Sequence, residues 1–590
     1  MLALKPGRGW NGLPEISKYM YQDTYFLPGE TYDGWVNRMC TAYTSNTDHY
    51  NRMYTYLQNY WFHPSTPPSG NGGTAKGLPI SCYVGDVEDS KEGIFNSWTE
   101  SGWLGSQAGG IGRCWSSVRE MGAKVGSHGG KSSGIIPFMK VDDSLSMAVS
   151  QGDLRRMSQA DYLDISHPEI EEFVEIRKPT GDQNRKALSL HHGVVIPDSF
   201  MEAVINEQTW NLISPKTKTI VKTVDAATLW AKILEMRATT GEPYIMFYNN
   251  VNNKKPIEYS KLDLDIHLSN LCSEVLLNTS ATKTNVCCLS SINLEYWDEY
   301  KDNLQQFVGD CIDFLDNIMQ DFIEKTADKP GFEYARAAAI DERALGLGVM
   351  GFHSLLQSKT IPFESALATG LNTTIFKKIR EACDQHQEFL ASQPNFVACP
   401  MSQRAGTNRR NITSLAIAPT MSISNLCNLT SSGIEPWMAN TFSKKLKQGT
   451  FPVVNKFLKQ YITEYAASNS HSSSWAEEQI VAIKKNSGSV QNLDWLDPYI
   501  KDVFKTAHEI DQRWLISHAS ARTPFIDQGQ SLNLFLLGNS HVQDISDIHI
   551  YAWRQGLKSL YYLRSTNPNK ASTESKVRKT ITYDECLSCQ

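Results

Sequence analysis

An α/β fold is predicted by three features of the chain. Between about residues 80 and 560, short apolar runs of strand length alternate with stretches of helical periodicity. Hydrophobic residues make up 41% of the 590 and charged residues 20%, enough apolar side chain for a large core beneath a soluble surface. No run approaches the roughly 20 apolar residues of a membrane span, so no membrane association is expected. Periodicity alone leaves open whether the strands close into a barrel or form an open sheet.

Residues 1–63 read as a helical N-terminal region rich in aromatic residues, among them Tyr19, Tyr21, Tyr25, Trp35, Tyr54, Tyr60 and Trp61. The main α/β region is assigned to 64–564. Its first stretch, 64–80, is dense in Pro, Gly, Ser and Thr and predicts a loop. Gly193-Val194-Val195-Ile196-Pro197 and Tyr244-Ile245-Met246-Phe247 predict strands. Asp302 to Lys325, apolar at helical spacing and free of proline, predicts a helix. Residues 565–590 are polar and predict a flexible tail.

Composition excludes several classes. The 57 basic against 63 acidic residues give a net charge of −6, without the basic excess of a nucleic-acid binder. The first residues, Met1-Leu2-Ala3-Leu4-Lys5-Pro6-Gly7, are broken by Pro and Gly and do not form a signal peptide. A reducing, cytoplasmic setting is therefore expected, with the twelve cysteines as thiols. The Asn-x-Ser/Thr triplets at Asn278, Asn411 and Asn428 are then chance matches. Ala108-Gly109-Gly110-Ile111-Gly112 is a lone glycine cluster. Gly126-Ser127-His128-Gly129-Gly130-Lys131-Ser132 is one residue short of a P-loop and runs into Ile135-Ile136-Pro137. Neither supports a dinucleotide fold or a P-loop NTPase.

The thiols carry the chemistry. Cys586-Leu587-Ser588-Cys589 stands at the very end of the polar tail. A tethered dithiol can enter a site, exchange with a disulfide and swing out to be reduced again. Such a tail implies a buried thiol pair that is oxidised in every turnover. A zinc half-site is the alternative, but no second Cys-x-x-Cys or nearby His-x-x-x-His completes it. In Ser269-Asn270-Leu271-Cys272-Ser273-Glu274, the alternate residues Asn270, Cys272 and Glu274 would share one side of an extended segment. An amide, a thiol and a carboxylate would then stand together. Further thiols lie in Ser81-Cys82 and Val286-Cys287-Cys288-Leu289, each alone most simply a buried core residue.

Together, and with Tyr561-Tyr562 shortly before the tail, these motifs resemble the catalytic large subunit of class I ribonucleotide reductase, in the family's order from about residue 25 to 590. The resemblance implies a ten-stranded α/β barrel with a finger loop inside it. It implies that Cys272 is the thiyl-radical cysteine, Glu274 the general base on the 3′-hydroxyl and Asn270 the group that holds that hydroxyl. Cys82 and Cys287 would be the pair that becomes oxidised, with Cys82 protonating the departing 2′-hydroxyl. Cys288 competes for the resolving role; Cys287 is preferred because it lies six residues before Asn293, as in the family pattern. Tyr561 and Tyr562 would pass a radical to Cys272, and Cys586 and Cys589 would reduce the oxidised pair. The residue types suit the reaction. Hydroxide is a poor leaving group unless a radical stands on the neighbouring carbon, and S–H and C–H bonds are close enough in strength for hydrogen to move both ways.

By the same resemblance, Thr66, Ser81 and Gly110 line the substrate pocket, and Thr420, Ser422 and Ile423 bind phosphate where an apolar run enters a small-polar turn. The family often carries Glu where this chain has Met421. Asp89, Arg119, Gln151 and Arg155 would contact a deoxynucleoside triphosphate or ATP effector, with Mg2+ accompanying the nucleotide. No permanent cofactor or metal is expected in this chain, because no Glu and Glu-x-x-His set for a di-metal site is found. The radical would come from a metal-containing small β subunit. Thioredoxin or glutaredoxin, a ribonucleoside diphosphate and a second copy of the chain are the other expected partners. The shared core begins near Tyr25 to Glu30, so the family's N-terminal ATP-binding regulatory domain is expected to be absent. The rival reading is an adenosylcobalamin-dependent ribonucleotide reductase, which shares barrel and cysteines but needs no radical partner. Tyr561-Tyr562 argues against it.

Overall fold

A computed structural model describes residues 8–126, 129–149, 157–446, 449–538 and 540–566. Five strands, β1 (Cys82–Asp86), β2 (Gly110–Cys114), β3 (Ser158–Asp164), β4 (His191–Ile196) and β5 (Tyr244–Phe247), lie side by side in chain order. All are parallel. Parallel neighbours require crossover connections, and helices supply them, Lys91–Ser106 after β1 and Ile136–Ala148 after β2. Strands covered on both faces read as continuous apolar runs, which is why β4 and β5 were legible in the sequence.

A second half runs the other way. Strand β6 (Asn285–Asn293) pairs antiparallel with β1 and parallel with β7 (Leu345–Met350). Extended segments 413–417 and 528–534 continue the half by backbone hydrogen bonds: Leu347 N to Ser414 O at 2.7 Å, Ile417 N to Gly529 O at 3.0 Å and Tyr561 N to Leu532 O at 2.9 Å. Strand β8 (Ser559–Leu560) returns antiparallel to β5. Eight strands and two extended segments thus close a ring of two parallel halves, the ten-membered barrel expected. The two segments are irregular because side chains take over ladder positions. The Asp527 carboxylate, for example, accepts from Ser414 N at 2.8 Å and Leu415 N at 2.9 Å.

Two cores result. The outer one packs helices against the ring, and the inner one holds residues from the ring's interior together with Leu268, Leu271, Cys272 and Val275 of the loop 264–284. Alternation along β6 divides its side chains, Cys287 and Leu289 inward, Val286 and Cys288 outward. The loop passes so close to β2 that a Cβ on Gly112 would stand 2.0 Å from Ser269 O.

The N-terminal region is helical as expected, with Tyr32–Tyr43 and Thr47–Gln58 the main helices. It shares the outer core: the Tyr43 and Phe314 rings are 5.4 Å apart. The predicted loop 64–80 contains a short helix, Thr66–Asn71. Pro67 and Pro68 sit in its first turn, where a missing N–H costs nothing and the fixed φ suits a helix. At the other end, strand Leu563–Thr566 pairs with Leu534–Leu537, so regular structure extends two residues into the predicted tail. No helix among the described residues is long and apolar enough to cross a membrane.

Gly112→Ala is expected to destabilise the protein by about 1–3 kcal/mol through overpacking against the loop. Gly370→Ala, on the helix Ala366–Ala391 with nothing near its Cβ position, is expected to be neutral or stabilising. Denaturant unfolding of the two variants checks both.

Candidate active site

The tip of the inner loop carries the predicted amide, thiol and carboxylate, and Asn270, Cys272 and Glu274 are all buried. They are not on one side of an extended segment, as the alternation suggested. The chain turns at Ser273, whose φ of +66° is left-handed, and Ser273 N bonds Asn270 O at 3.3 Å. The turn brings Asn270 Nδ2 to 3.0 Å from Glu274 Oε1, while Asn270 Oδ1 accepts from Val275 N at 3.1 Å. A left-handed non-glycine residue costs of order 1 kcal/mol and persists where its surroundings over-determine it. Here they do. Ser559 Oγ donates to Ser273 O at 3.0 Å, Gly529 N to Glu274 O at 2.8 Å and Tyr162 Oη to Asn270 O at 2.9 Å. Ser531 Oγ reaches both Cys272 O and, at 3.1 Å, Glu274 Oε2.

The thiol pair is set by strand register. Cys82 on β1 stands directly opposite Cys287 on β6. Opposed residues of an antiparallel ladder have Cα atoms about 4.5–5.5 Å apart. That falls within the roughly 4.4–6.8 Å spanned by disulfides. Cys82, Cys272 and Cys287 share the inner core, whereas Cys288 lies in the outer one. The described cysteines are all free thiols. Burial pushes the Cys287 thiol well above its usual range, with Gln528, whose Nε2 lies 3.2 Å from Sγ, partly countering it.

Across the ring, at the β5–β8 junction, three tyrosines meet. Ring centroids are 4.3 Å apart for Tyr561 and Tyr562, 4.8 Å for Tyr244 and Tyr561, and 5.1 Å for Tyr244 and Tyr562. The hydroxyls of Tyr244 and Tyr562 each lie 3.2 Å from His191 Nδ1, itself 2.6 Å from Glu242 Oε1. The Arg564 guanidinium covers the Tyr562 ring at 4.1 Å.

The ribonucleotide reductase barrel domain family matches residues 80–387 and 403–563. The chain belongs to the ribonucleotide reductase family. It is 36% identical over 600 residues to the ribonucleoside-diphosphate reductase large subunit of Invertebrate iridescent virus 3, covering 91% of this chain and 92% of that one. It is 37% identical over 544 residues to the putative large subunit of Frog virus 3, with the same coverages. Its fold matches the class Id ribonucleotide reductase α subunit of Actinobacillus ureae with a TM-score of 0.83, at 31% identity, covering 96% of this chain and all of that one. The chain is thus a ribonucleoside-diphosphate reductase of the large-subunit type. The large-subunit and class I α likenesses favour the two-subunit reading over the cobalamin-dependent one.

The remaining residues expected from the ribonucleotide reductase pattern are placed as follows. Gly110 is the strand neighbour of Cys82, and its N–H donates to Ser81 O at 2.6 Å. Thr66 is buried with Oγ1 3.2 Å from Tyr25 Oη. Thr420 Oγ1 accepts from Gly433 N at 2.7 Å, and Ser422 immediately precedes the one-turn helix Ile423–Leu426. Asp89 and Arg119 meet each other, Arg119 Nε lying 2.8 Å from Oδ1 and 3.0 Å from Oδ2. Gln151, Arg155, Cys586 and Cys589 lie outside the described residues. One group of metal-type donors exists among those described, Asp86, Cys114 and His267; there His267 Nε2 and Asp86 Oδ1 are within hydrogen-bond distance, 2.8 Å apart, at the base of the loop.

Sequence reasoning missed Tyr244, His191, Glu242, Gln528 and Ser531. Tyr244 was inside a predicted strand, but only the β5–β8 pairing shows that it faces the tyrosine pair. Glu242 is fully buried. Burial acts to raise its pKa, but the charges and hydrogen bonds of His191, Arg177 and His192 outweigh this and hold it below the usual carboxylate range. A depressed carboxylate stabilises the fold above its unfolded value of about 4.3, and the contribution is lost as pH falls through the lower folded value. Glu242→Gln is therefore expected to cost about 3–5 kcal/mol near neutrality, as for a broken buried ion pair. Urea unfolding across the acid range checks this: the gap from the parent protein should narrow as pH falls.

Proposed function

We propose that this chain carries out the radical reduction of ribonucleoside diphosphates to deoxyribonucleoside diphosphates inside the barrel, with Cys272 as the hydrogen-abstracting thiyl. The observation that supports this most is that Cys272 shares the inner core with the register-matched Cys82 and Cys287, while Asn270 and Glu274 are bonded to each other at the same loop tip. A small β subunit supplies the radical, and Tyr562 and Tyr561 carry it inward to Cys272. Cys272 takes the 3′-hydrogen. Glu274 accepts the 3′-hydroxyl proton, within hydrogen-bond reach. Asn270, tied to Glu274, orients the same hydroxyl. Cys82 protonates the 2′-hydroxyl, which leaves as water. Cys82 and Cys287 supply two electrons and close a disulfide, and Cys272 returns hydrogen to C3′. The outward face of Cys288 supports Cys287 as the partner of Cys82.

The tail thiols Cys586 and Cys589 reduce the disulfide by exchange and are themselves reduced by thioredoxin or glutaredoxin. Thr66, Ser81, Gly110, Thr420, Ser422 and Ile423 hold the substrate, with Mg2+ accompanying the nucleotides. Asp89 and Arg119, with Gln151 and Arg155, bind a deoxynucleoside triphosphate or ATP effector; the Asp89–Arg119 pair opens to do so. Coupling to the substrate site is measured as a reciprocal change in affinity. The helices Lys91–Ser106 and Ile136–Ala148 leave Phe95, Val141 and Met147 more than two-fifths exposed, which supports a homodimer through this face. The free thiols suit a cytoplasmic setting.

CDP reduction by the purified chain with dithiothreitol, with either a metal-loaded small subunit or adenosylcobalamin, tests the reading. Activity should require the protein partner; activity with cobalamin alone would overturn it. Cys272→Ser should abolish turnover and leave substrate binding intact. Cys287→Ser should lose multiple turnover, whereas Cys288→Ser should keep it. Cys586→Ser with Cys589→Ser should stop turnover driven by thioredoxin; sustained turnover there would remove the shuttle.

A further inference from the structure

Arg119, one of the proposed effector residues, stands at the foot of a hairpin whose strands are Lys124–Val125 and Gly130–Lys131. Gly122 N donates to Ser132 O at 2.8 Å and Ser132 N to Ala123 O at 2.9 Å, which closes the stem. The hairpin and Asp89 hold the Arg119 side chain between them: Nη1 donates to Lys124 O at 2.8 Å and Nε to Asp89 Oδ1 at 2.8 Å. Two residues per strand are too few to keep a hairpin in one place by themselves. Its position has to come from its ends.

One carboxylate holds both ends. Glu169, 7% exposed, follows β3, and its Oε2 accepts from Met121 N at 3.1 Å and from Ile135 N at 3.0 Å. Gly134 passes so close that a Cβ on it would stand 2.2 Å from Glu169 Oε1. The Arg185 guanidinium lies 3.5 Å from that same oxygen. Glu169 is itself seated by His167, whose Nδ1 accepts from Glu169 N at 3.1 Å. The proton of that ring is then on Nε2, 2.9 Å from Val118 O, and burial, pushing His167 down to about 4, keeps the ring neutral near pH 7. His167 thus holds Val118 and Glu169 holds Met121, one on each side of Arg119 in the chain.

A backbone N–H taken out of water needs an acceptor, and a carboxylate oxygen with two lone pairs can serve two at once. Without that oxygen both ends of the hairpin lose their partner together. A nucleotide that binds only the seated hairpin then has its apparent affinity reduced to the fraction of time the hairpin is seated. We propose that Glu169, with His167 behind it, is the positioning residue of the effector site, because it seats the hairpin that aims the Arg119 guanidinium. This rests on Asp89 and Arg119 forming the effector site. Glu169 acts through the hairpin and not by touching the nucleotide, since its carboxylate is buried and one oxygen is taken by the two amides.

Equilibrium dialysis of the full chain with radiolabelled dATP, dGTP and dTTP, each with Mg2+, tests this. In Glu169→Ala, nucleotide binding is expected to weaken about tenfold. Glu169→Gln keeps an acceptor oxygen and should bind within about threefold of the parent. CDP affinity, measured without these nucleotides, should be the same in all three proteins; a parallel loss of it overturns the positioning role. Unchanged nucleotide affinity in Glu169→Ala overturns the assignment, and so does an equal loss in Glu169→Gln, which would exclude the acceptor role. Should Glu169→Ala fail to fold, the contact is tested from the hairpin side. Gly134→Ala drives a methyl against the carboxylate and should weaken binding. Gly122→Ala, with the same left-handed backbone (φ +85° against +84°) and nothing near its Cβ position, should weaken it less. Equal losses in the two glycine variants overturn the assignment. Asp89→Ala with Arg119→Ala tests the effector reading by itself: binding that survives this change, or a parent chain that binds none of the nucleotides, removes the effector site and this assignment with it.

Discussion

A loop threaded through the inside of a barrel must find a partner for each backbone amide and carbonyl it takes out of water. An unpaired buried polar group costs about as much as a lost hydrogen bond. The loop 264–284 meets this demand largely through segment 527–531. Gln528 accepts from Leu276 N, Gly529 donates to Glu274 O, and Ser531 donates to Cys272 O. The segment is held in turn from outside: Asp527 is paired with Arg380 at 2.8 Å, and Lys558 Nζ donates to the carbonyls of Ile526, Asp527 and Gln528. The finger tip is therefore fixed by a chain of contacts that runs from the outer helices through the ring wall. Strain at Ser273 is sustained by the same contacts.

The two antiparallel junctions of the ring have a further consequence. Within each half, parallel strands are joined by long crossovers, and neighbouring strands present their side chains in regular layers. At the junctions, residues from distant parts of the chain are brought face to face. The β1–β6 junction opposes Cys82 and Cys287; the β5–β8 junction brings Tyr244 against Tyr561 and Tyr562. One seam thus carries the opposed thiols and the other the aromatic stack, and both share the inner core with Cys272 of the finger tip.

Much of this was legible in the chain because the information is local. β4 and β5 are apolar runs, the helix Leu304–Lys325 follows its periodicity, and Cys272 is flanked by its amide and carboxylate in sequence. The errors have local causes too. The helix Thr66–Asn71 hides in Pro and Gly, and alternation placed Asn270 and Glu274 together for the wrong reason, since a left-handed turn and not a strand joins them. What could not be read is the pairing of separated segments. Nothing in Ala-Arg-Thr-Pro-Phe-Ile-Asp-Gln-Gly-Gln-Ser marks Gln528 as a partner of a thiol 241 residues away. The choice of Cys287 over Cys288 likewise turns on which face of β6 looks inward, and a one-residue slip of register would reverse it.

Burial of the thiols also bears on why the proposed reaction uses two kinds of cysteine. A thiol kept from water and pushed up in pKa, like Cys287, stays protonated, the form that the proposed reaction requires of it. The same burial makes it a poor nucleophile and shields an oxidised pair from reductants in solution. In the proposed reaction, a ring that keeps water from a radical would also exclude a protein reductant from its thiols. In the proposed reaction a dithiol outside the ring meets this demand, because a thiol with access to water ionises more readily than a buried one and can then exchange with the buried pair. The Gln528 amide, whose Nε2 lies 3.2 Å from Cys287 Sγ, offsets only part of the cost that burial places on a charged sulfur there.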